Sequence, residues 1–96
     1  MNINEIPEAL CQKLRIKIIS SLVQSSRTFN ELLDITKATK GNLCVQLGKL
    51  EEWNFITSDK VLENKKTKTT YTITDLGLTQ FEEYVQLLRN IIEESV

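Results

Sequence analysis

The spacing of apolar residues changes twice along this chain, and that change limits the available folds more than any other feature. Up to about residue 53 the apolar positions recur at helical steps, from Phe55 they alternate, and from about residue 75 they return to helical steps. A segment patterned for a helix does not sit stably as a strand, nor the reverse. The chain therefore reads as helices, then a strand pair, then a helix, an α+β arrangement that is mainly α. Its 96 residues make one domain with a single modest core, since a chain of this size buries roughly 60–70% of its unfolded surface.

Each segment carries its own start and stop signals. Pro7 suits only the first turn of a helix, and Leu10, Leu14, Ile18 and Leu22 then step by four, with Ile19 and Val23 widening the stripe. This predicts a first helix over 7–25, with Lys13, Arg15 and Lys17 as solvated charge on its outer face. Thr28 and Glu31 have the spacing of a capping box, which predicts a second helix over 29–35, packed on the first through Phe29, Leu32 and Leu33. Thr28 also offers a stub of edge strand. Thr39 is a suitable N-cap for a third helix over 39–53, and Asn54 suits the left-handed residue that commonly ends one. The alternating runs predict a β-hairpin over 55–73, whose tip spans 63–68 and carries Lys65, Lys66 and Lys68. Ile56, Tyr71 and Ile73 are its candidates for packing on the helices. Thr74 and Asp75 open a last helix over 75–94.

The third helix has an unusual outer face. Leu43, Leu47 and Leu50 make one apolar side, while Gly41, Val45, Gly48 and Lys49 fall opposite. An amphipathic helix of a small soluble protein ordinarily carries long charged residues there, whereas this one offers glycine, asparagine, valine and glutamine with lysines at the flanks. Glycine in a helix interior costs about 0.5–1 kcal/mol relative to alanine, so room rather than helix stability is what such a face supplies. The major groove of DNA admits a helix and is read by short side chains while lysines hold phosphate. Two short helices joined by the brief 36–38 turn read as a helix-turn-helix. With the hairpin after them, the pattern is a winged helix.

Charge divides along the chain in the same sense. The net charge is −1, but residues 37 to 72 hold seven lysines against Glu51, Glu52, Asp59 and Glu63, and the remainder is correspondingly acidic. A basic centre can place a positive patch on one face, although a solvated lysine loop has the same composition. The last helix points to a second subunit. Phe81, Val85, Leu88 and Ile92 form a coiled-coil-like seam, with Tyr84, Leu87 and Ile91 in a stripe beside it. A helix apolar on more than one side and about 30 Å long extends past the single core that a small domain offers, which predicts dimerisation.

Other chemistries lack their residues. The chain has no histidine, so Cys11 and Cys44 cannot complete a zinc site of the usual kind, and both read as reduced, partly buried small apolar residues. No nucleophile motif or phosphate-cradling glycine loop is present, so no enzyme and no cofactor are expected. No apolar run approaches the ~18 residues that span a bilayer, and no charged-then-apolar leader opens the chain, which predicts a cytoplasmic location.

The segments Thr39-Lys40-Gly41-Asn42-Leu43, Leu47-Gly48-Lys49-Leu50-Glu51-Glu52 and Thr69-Thr70-Tyr71-Thr72-Ile73-Thr74-Asp75-Leu76-Gly77 together resemble the small prokaryotic winged-helix DNA-binding domains related to the MarR and ArsR transcriptional regulators. The resemblance implies a homodimeric transcription factor that binds double-stranded DNA, with an inverted repeat as its site. In such a protein the third helix occupies the major groove, the wing lies on the backbone or minor groove, and the first and last helices form the dimer interface. On matching positions it implies that Thr39, Lys40, Gly41, Asn42, Val45, Gln46 and Lys49 face DNA, with Lys65, Lys66 and Lys68 in the wing. Leu10, Phe81, Tyr84, Val85, Leu88, Ile91 and Ile92 would face the partner. Asn42 and Gln46 are the candidate base readers, since amide side chains can pair bidentately with adenine, Gln46 standing where many relatives have histidine. Metal sensing by cysteine and histidine clusters is not carried over. The alternative reading is a winged-helix protein-interaction module without DNA binding.

Overall fold

The computed structural model describes residues 1–94, which form four α-helices and a three-stranded antiparallel sheet. Two 3-10 turns, Ile3–Glu5 and Glu8–Leu10, precede α1 (Lys13–Gln24). Then come β1 (Arg27–Thr28), α2 (Phe29–Thr36), α3 (Lys40–Glu52), β2 (Ile56–Glu63), β3 (Lys66–Ile73) and α4 (Asp75–Glu94). The sheet order is β1-β3-β2, with the two-residue β1 on the edge. β2 and β3 pair over their full lengths, from Ile56 opposite Ile73 to Glu63 opposite Lys66.

Local chemistry sets most of the element ends. The Thr28 hydroxyl accepts from the Glu31 amide at 3.2 Å while the Glu31 carboxylate accepts from the Thr28 amide at 2.9 Å, closing the capping box that starts α2. These bonds, the one to the Thr28 backbone foremost, hold the Glu31 carboxyl below its usual range. Thr39 caps α3 by accepting from the Asn42 amide at 3.2 Å. At the other end Asn54 is left-handed, with φ 62°, and the amides of Asn54 and Phe55 reach back to the carbonyls of Glu51 and Leu50. Those two bonds are the Schellman pattern, which satisfies carbonyls a helix end would otherwise leave bare.

Two elements depart from expectation. The wing tip is not the six-residue stretch 63–68 but a two-residue turn, Asn64-Lys65, with φ values of 50° and 65°. Paired left-handed residues match the twist of the flanking strands, so the ladder runs to the very tip and Lys66 and Lys68 belong to β3. The first helix does not start at Pro7. Gln12 is extended at φ −144° and α1 begins only at Lys13. At the break the Arg15 side chain donates to the Ala9 carbonyl at 3.2 Å and shares the Glu8 carbonyl, at 3.0 Å, with the Cys11 amide.

The core gathers Ile18, Ile19 and Leu22 of α1, Leu32 of α2, Leu43, Leu47 and Leu50 of α3, then Phe55 and Ile56. Ala9 and Leu10 of the second 3-10 turn complete it, and Tyr71, Ile73, Phe81 and Tyr84 pack against its edge. α4 is seated at its start. Thr74 donates its hydroxyl to the Asn54 carbonyl at 2.6 Å and accepts from the Gly77 amide at 3.0 Å. Gly77 lies against the Phe55 carbonyl, where a Cβ would collide with that oxygen and lie 3.1 Å from Ile73 Cγ1. From that seat α4 leaves the body, and the described residues extend over 56 × 25 × 21 Å. Gly77→Ala should destabilise the fold by about 1–3 kcal/mol, because the obstacle is backbone and cannot rotate away; a lowered urea midpoint at constant slope is the expected readout.

Candidate nucleic-acid interface

Helix α3 divides its two faces sharply. Leu43, Gln46, Leu47 and Leu50 are buried, whereas Lys40, Gly41, Asn42, Cys44, Val45, Gly48 and Lys49 are exposed, as is the capping Thr39. Val45 is 53% exposed, an aliphatic side chain held out in solvent. A Cβ built on Gly41 or Gly48 would meet nothing within 4 Å. Nothing inside the molecule requires glycine at either position, so the bare surface is open on its outer side.

Gln46 contradicts its expected place on that surface, being only 5% exposed. Its Oε1 accepts from Arg15 Nη1 at 2.8 Å and its Nε2 donates to Asn42 Oδ1 at 3.3 Å. The expectation for Arg15 fails in the same way: it is 5% exposed and not solvated charge. Besides Gln46 and the two carbonyls it donates to Gln12 Oε1 at 3.3 Å, lies 3.7 Å from the Glu8 carboxylate, and stacks 5.2 Å from the Trp53 ring centroid. Both burials had a sequence signal. Gln46 lies three after Leu43 and four before Leu50, and Arg15 lies three and four before Ile18 and Ile19, all helix-face spacings. Reading by residue type rather than by position hides this.

The wing stands beside α3. Lys65 and Lys66 are exposed, while exposed Lys68 lies 3.7 Å from the Glu63 carboxylate, a surface pair worth at most about 1 kcal/mol and open to replacement by phosphate. Alternation along β2 puts Ser58, Lys60 and Leu62 on the same face as Ile56, and Ser58 pairs with Tyr71. Tyr71 and Ile73 pack this face against the core, and burial first, then Glu51 and Cys44 of α3, push the Tyr71 hydroxyl up. Lys60 and the largely exposed Leu62 share that sheet face, two positions the sequence reading did not include, whereas the register puts Lys66 and Lys68, opposite Glu63 and Val61, on the other face.

Cys11 and Cys44 are free and exposed rather than partly buried, Cys11 beyond the 3-10 turn and Cys44 on the outer side of α3. Among the described residues no three acidic or cysteine side chains gather as a metal site, and no helix is long and apolar enough to cross a membrane. The residues expected at a dimer interface separate into three groups. Leu10, 2% exposed, is spent in the core and has no surface left for a partner, because the bend before α1 turns it inward. Phe81, Tyr84 and Val85 are half-buried, the first two against the core. Leu88, Ile91 and Ile92 are exposed along the outer half of α4.

Helices α2, α3 and α4 packed on α1, an Asn54-terminated third helix and a paired wing define the winged helix. Residues 14–92 match the family of the winged helix DNA-binding domain, and the chain belongs to that family. Its fold is similar to that of a MarR-family protein from Enterococcus faecalis V583, with a TM-score of 0.83 at 18% identity over 97% of this chain and 84% of that one. It is similar to a transcriptional regulator homologue from Pyrococcus horikoshii OT3, with a TM-score of 0.82 at 23% identity over 90% and 86%. Bacillus subtilis PadR, solved in complex with operator DNA, gives 0.70 at 22% identity over 77% of this chain and 47% of PadR. Comparison with curated proteins gives no significant match.

Replacing Arg15 by Met should cost at least about 2 kcal/mol, because the Gln46 amide oxygen and the Ala9 carbonyl would lose their donor and the Glu8 carbonyl one of its two. Arg15→Lys should recover less than half of that in urea denaturation, since a single ammonium lacks the planar fork that reaches several acceptors at once.

Proposed function

We propose that this chain is a sequence-specific, DNA-binding transcriptional regulator that acts as a homodimer in the cytoplasm. The observation that carries the reading is the outer face of α3, where two glycines and an exposed valine are held bare although nothing inside the molecule needs them so. A helix stripped on one side fits deep into a major groove. In this reading Thr39, Lys40, Gly41, Asn42, Val45 and Lys49 face the duplex, the lysines on phosphate and Val45 against a thymine methyl. Lys65, Lys66 and Lys68 lie along the backbone or minor groove beside it. Gln46 has no place on this surface.

Affinity for duplexes selected from a random pool should fall with salt at a log–log slope of about −0.9 per phosphate neutralised. Gly41→Ala with Gly48→Ala should add about 1 kcal/mol of helix stability per site and weaken binding by about tenfold, or 1.4 kcal/mol. A pool that enriches no sequence, or the same affinity in the double variant, would remove the support that the bare face lends.

The dimer is assigned to α4, through Leu88, Ile91 and Ile92 with Phe81, Tyr84 and Val85 at the inner end of the contact. Two-fold pairing would set the two copies of α3 about one helical turn of DNA apart, on an inverted repeat. Leu88→Glu combined with Ile92→Lys should give a monomer in sedimentation equilibrium with the helical signal of the fold retained, and half-site binding only. A variant that still sediments as a dimer would move the interface off α4.

A further inference from the structure

Arginine donates from every nitrogen and accepts nothing. The 2.8 Å contact from Arg15 Nη1 therefore obliges Gln46 to turn its Oε1 inward, which leaves Nε2 for its other neighbour. That neighbour is Asn42, 3.3 Å away, and because an N–H needs an acceptor, Asn42 must supply Oδ1. The end of Asn42 left for the solvent is the amino group. Its residue is exposed in the first turn of α3, beside the bare face. A free asparagine offers acceptor and donor together, the combination that matches adenine N7 and N6. This one has its oxygen turned toward Gln46, which leaves the amino group as the end that reaches outward.

We infer that the buried Arg15–Gln46 pair turns the amino end of Asn42 outward as the reading end, selecting guanine over adenine in the major groove; this rests on the DNA-binding reading above. Guanine places two acceptors, O6 and N7, side by side, where the two hydrogens of one amide nitrogen can meet them. Adenine sets an amino group beside its acceptor, and cytosine offers only an amino group. Arg15 and Gln46 are positioning residues: neither touches DNA, and both decide which end of Asn42 does. Arg15 itself is held in place by the Ala9 and Glu8 carbonyls and by Trp53.

Gln46→Glu reverses the relay. Both oxygens of the introduced carboxylate accept, one meets Arg15, and Asn42 can satisfy the other only by turning its amino group inward. Its carbonyl oxygen then faces the base, and the favoured partner becomes one with an amino group. Selection from a random duplex pool, run on the wild type, Gln46→Glu and Asn42→Ala, reads this directly. The wild type should enrich guanine at one position of each half-site. Gln46→Glu should lower guanine there at least fivefold in favour of cytosine or adenine, and Asn42→Ala should leave that position without preference, the other positions being unchanged.

A second measurement does not depend on the folding of the glutamate variant. Replacing that guanine by 7-deazaguanine, which lacks the N7 acceptor, should weaken the wild type about fivefold and leave Asn42→Ala unaffected. A wild-type site with adenine at that position, a guanine preference that survives Asn42→Ala, or equal sensitivity of both proteins to the deaza base would overturn the inference while leaving DNA binding intact. A wild type that enriches no sequence would overturn the DNA-binding reading and the inference with it.

Discussion

A buried guanidinium holds together the parts of this molecule that local sequence leaves separate. Charge taken out of water costs several kcal/mol unless it is paired and its donors are satisfied. Arg15 meets that condition with two carbonyls, two side-chain amides, the Glu8 carboxylate at the rim and the face of Trp53. No buried side-chain nitrogen or oxygen among the described residues lacks a hydrogen-bond partner. The contacts reach three different pieces of chain: the 3-10 turn before α1, the middle of α3, and the residue that ends α3. Through one side chain the orientation of α3 depends on the path of the first dozen residues.

That anchoring explains how α3 can carry so little on its outer side. Two glycines and the absence of i,i+4 ion pairs would make a poor isolated helix, since helices of this length are marginal in water in any case. Its stability comes instead from three buried leucines, the Thr39 cap, the Schellman end at Asn54 and the Arg15–Gln46 bond. A well-held inner face leaves the outer face free to be shaped for contact. α4 shows the same economy at larger scale: Gly77 and Thr74 clamp its first turn to the α3–β2 link, and the outer half needs no support from the body.

Much of this was legible in the residues taken one segment at a time. Thr28 with Glu31, Thr39, Asn54 and Thr74 marked helix ends because capping is chemistry between neighbours three or four residues apart. The alternation from Phe55 to Ile73 marked the wing because a strand's side-chain period is a local property. Even the bareness of α3 could be read, since it follows from the step of the helix and the identity of Gly41, Val45 and Gly48. Where reading by residue type failed, at Arg15 and Gln46, the position along the helix was informative and the chemistry of the side chain misled; Leu10 was misplaced because the expected first helix is broken before α1.

The sequence by itself determined the order of elements, their caps and the polarity of each face, because all of these are settled within a turn or two of chain. Only the tertiary structure decided that Arg15 and Gln46, 31 residues apart, would satisfy one another in the interior. A long polar side chain prefers water unless the fold assembles matching partners around it, and those partners come from segments distant in sequence. The same packed interior takes in Leu10 and leaves Asn42 with its oxygen turned toward Gln46. Which end faces outward is therefore a property of the packed molecule, carried by a residue whose type alone allows either.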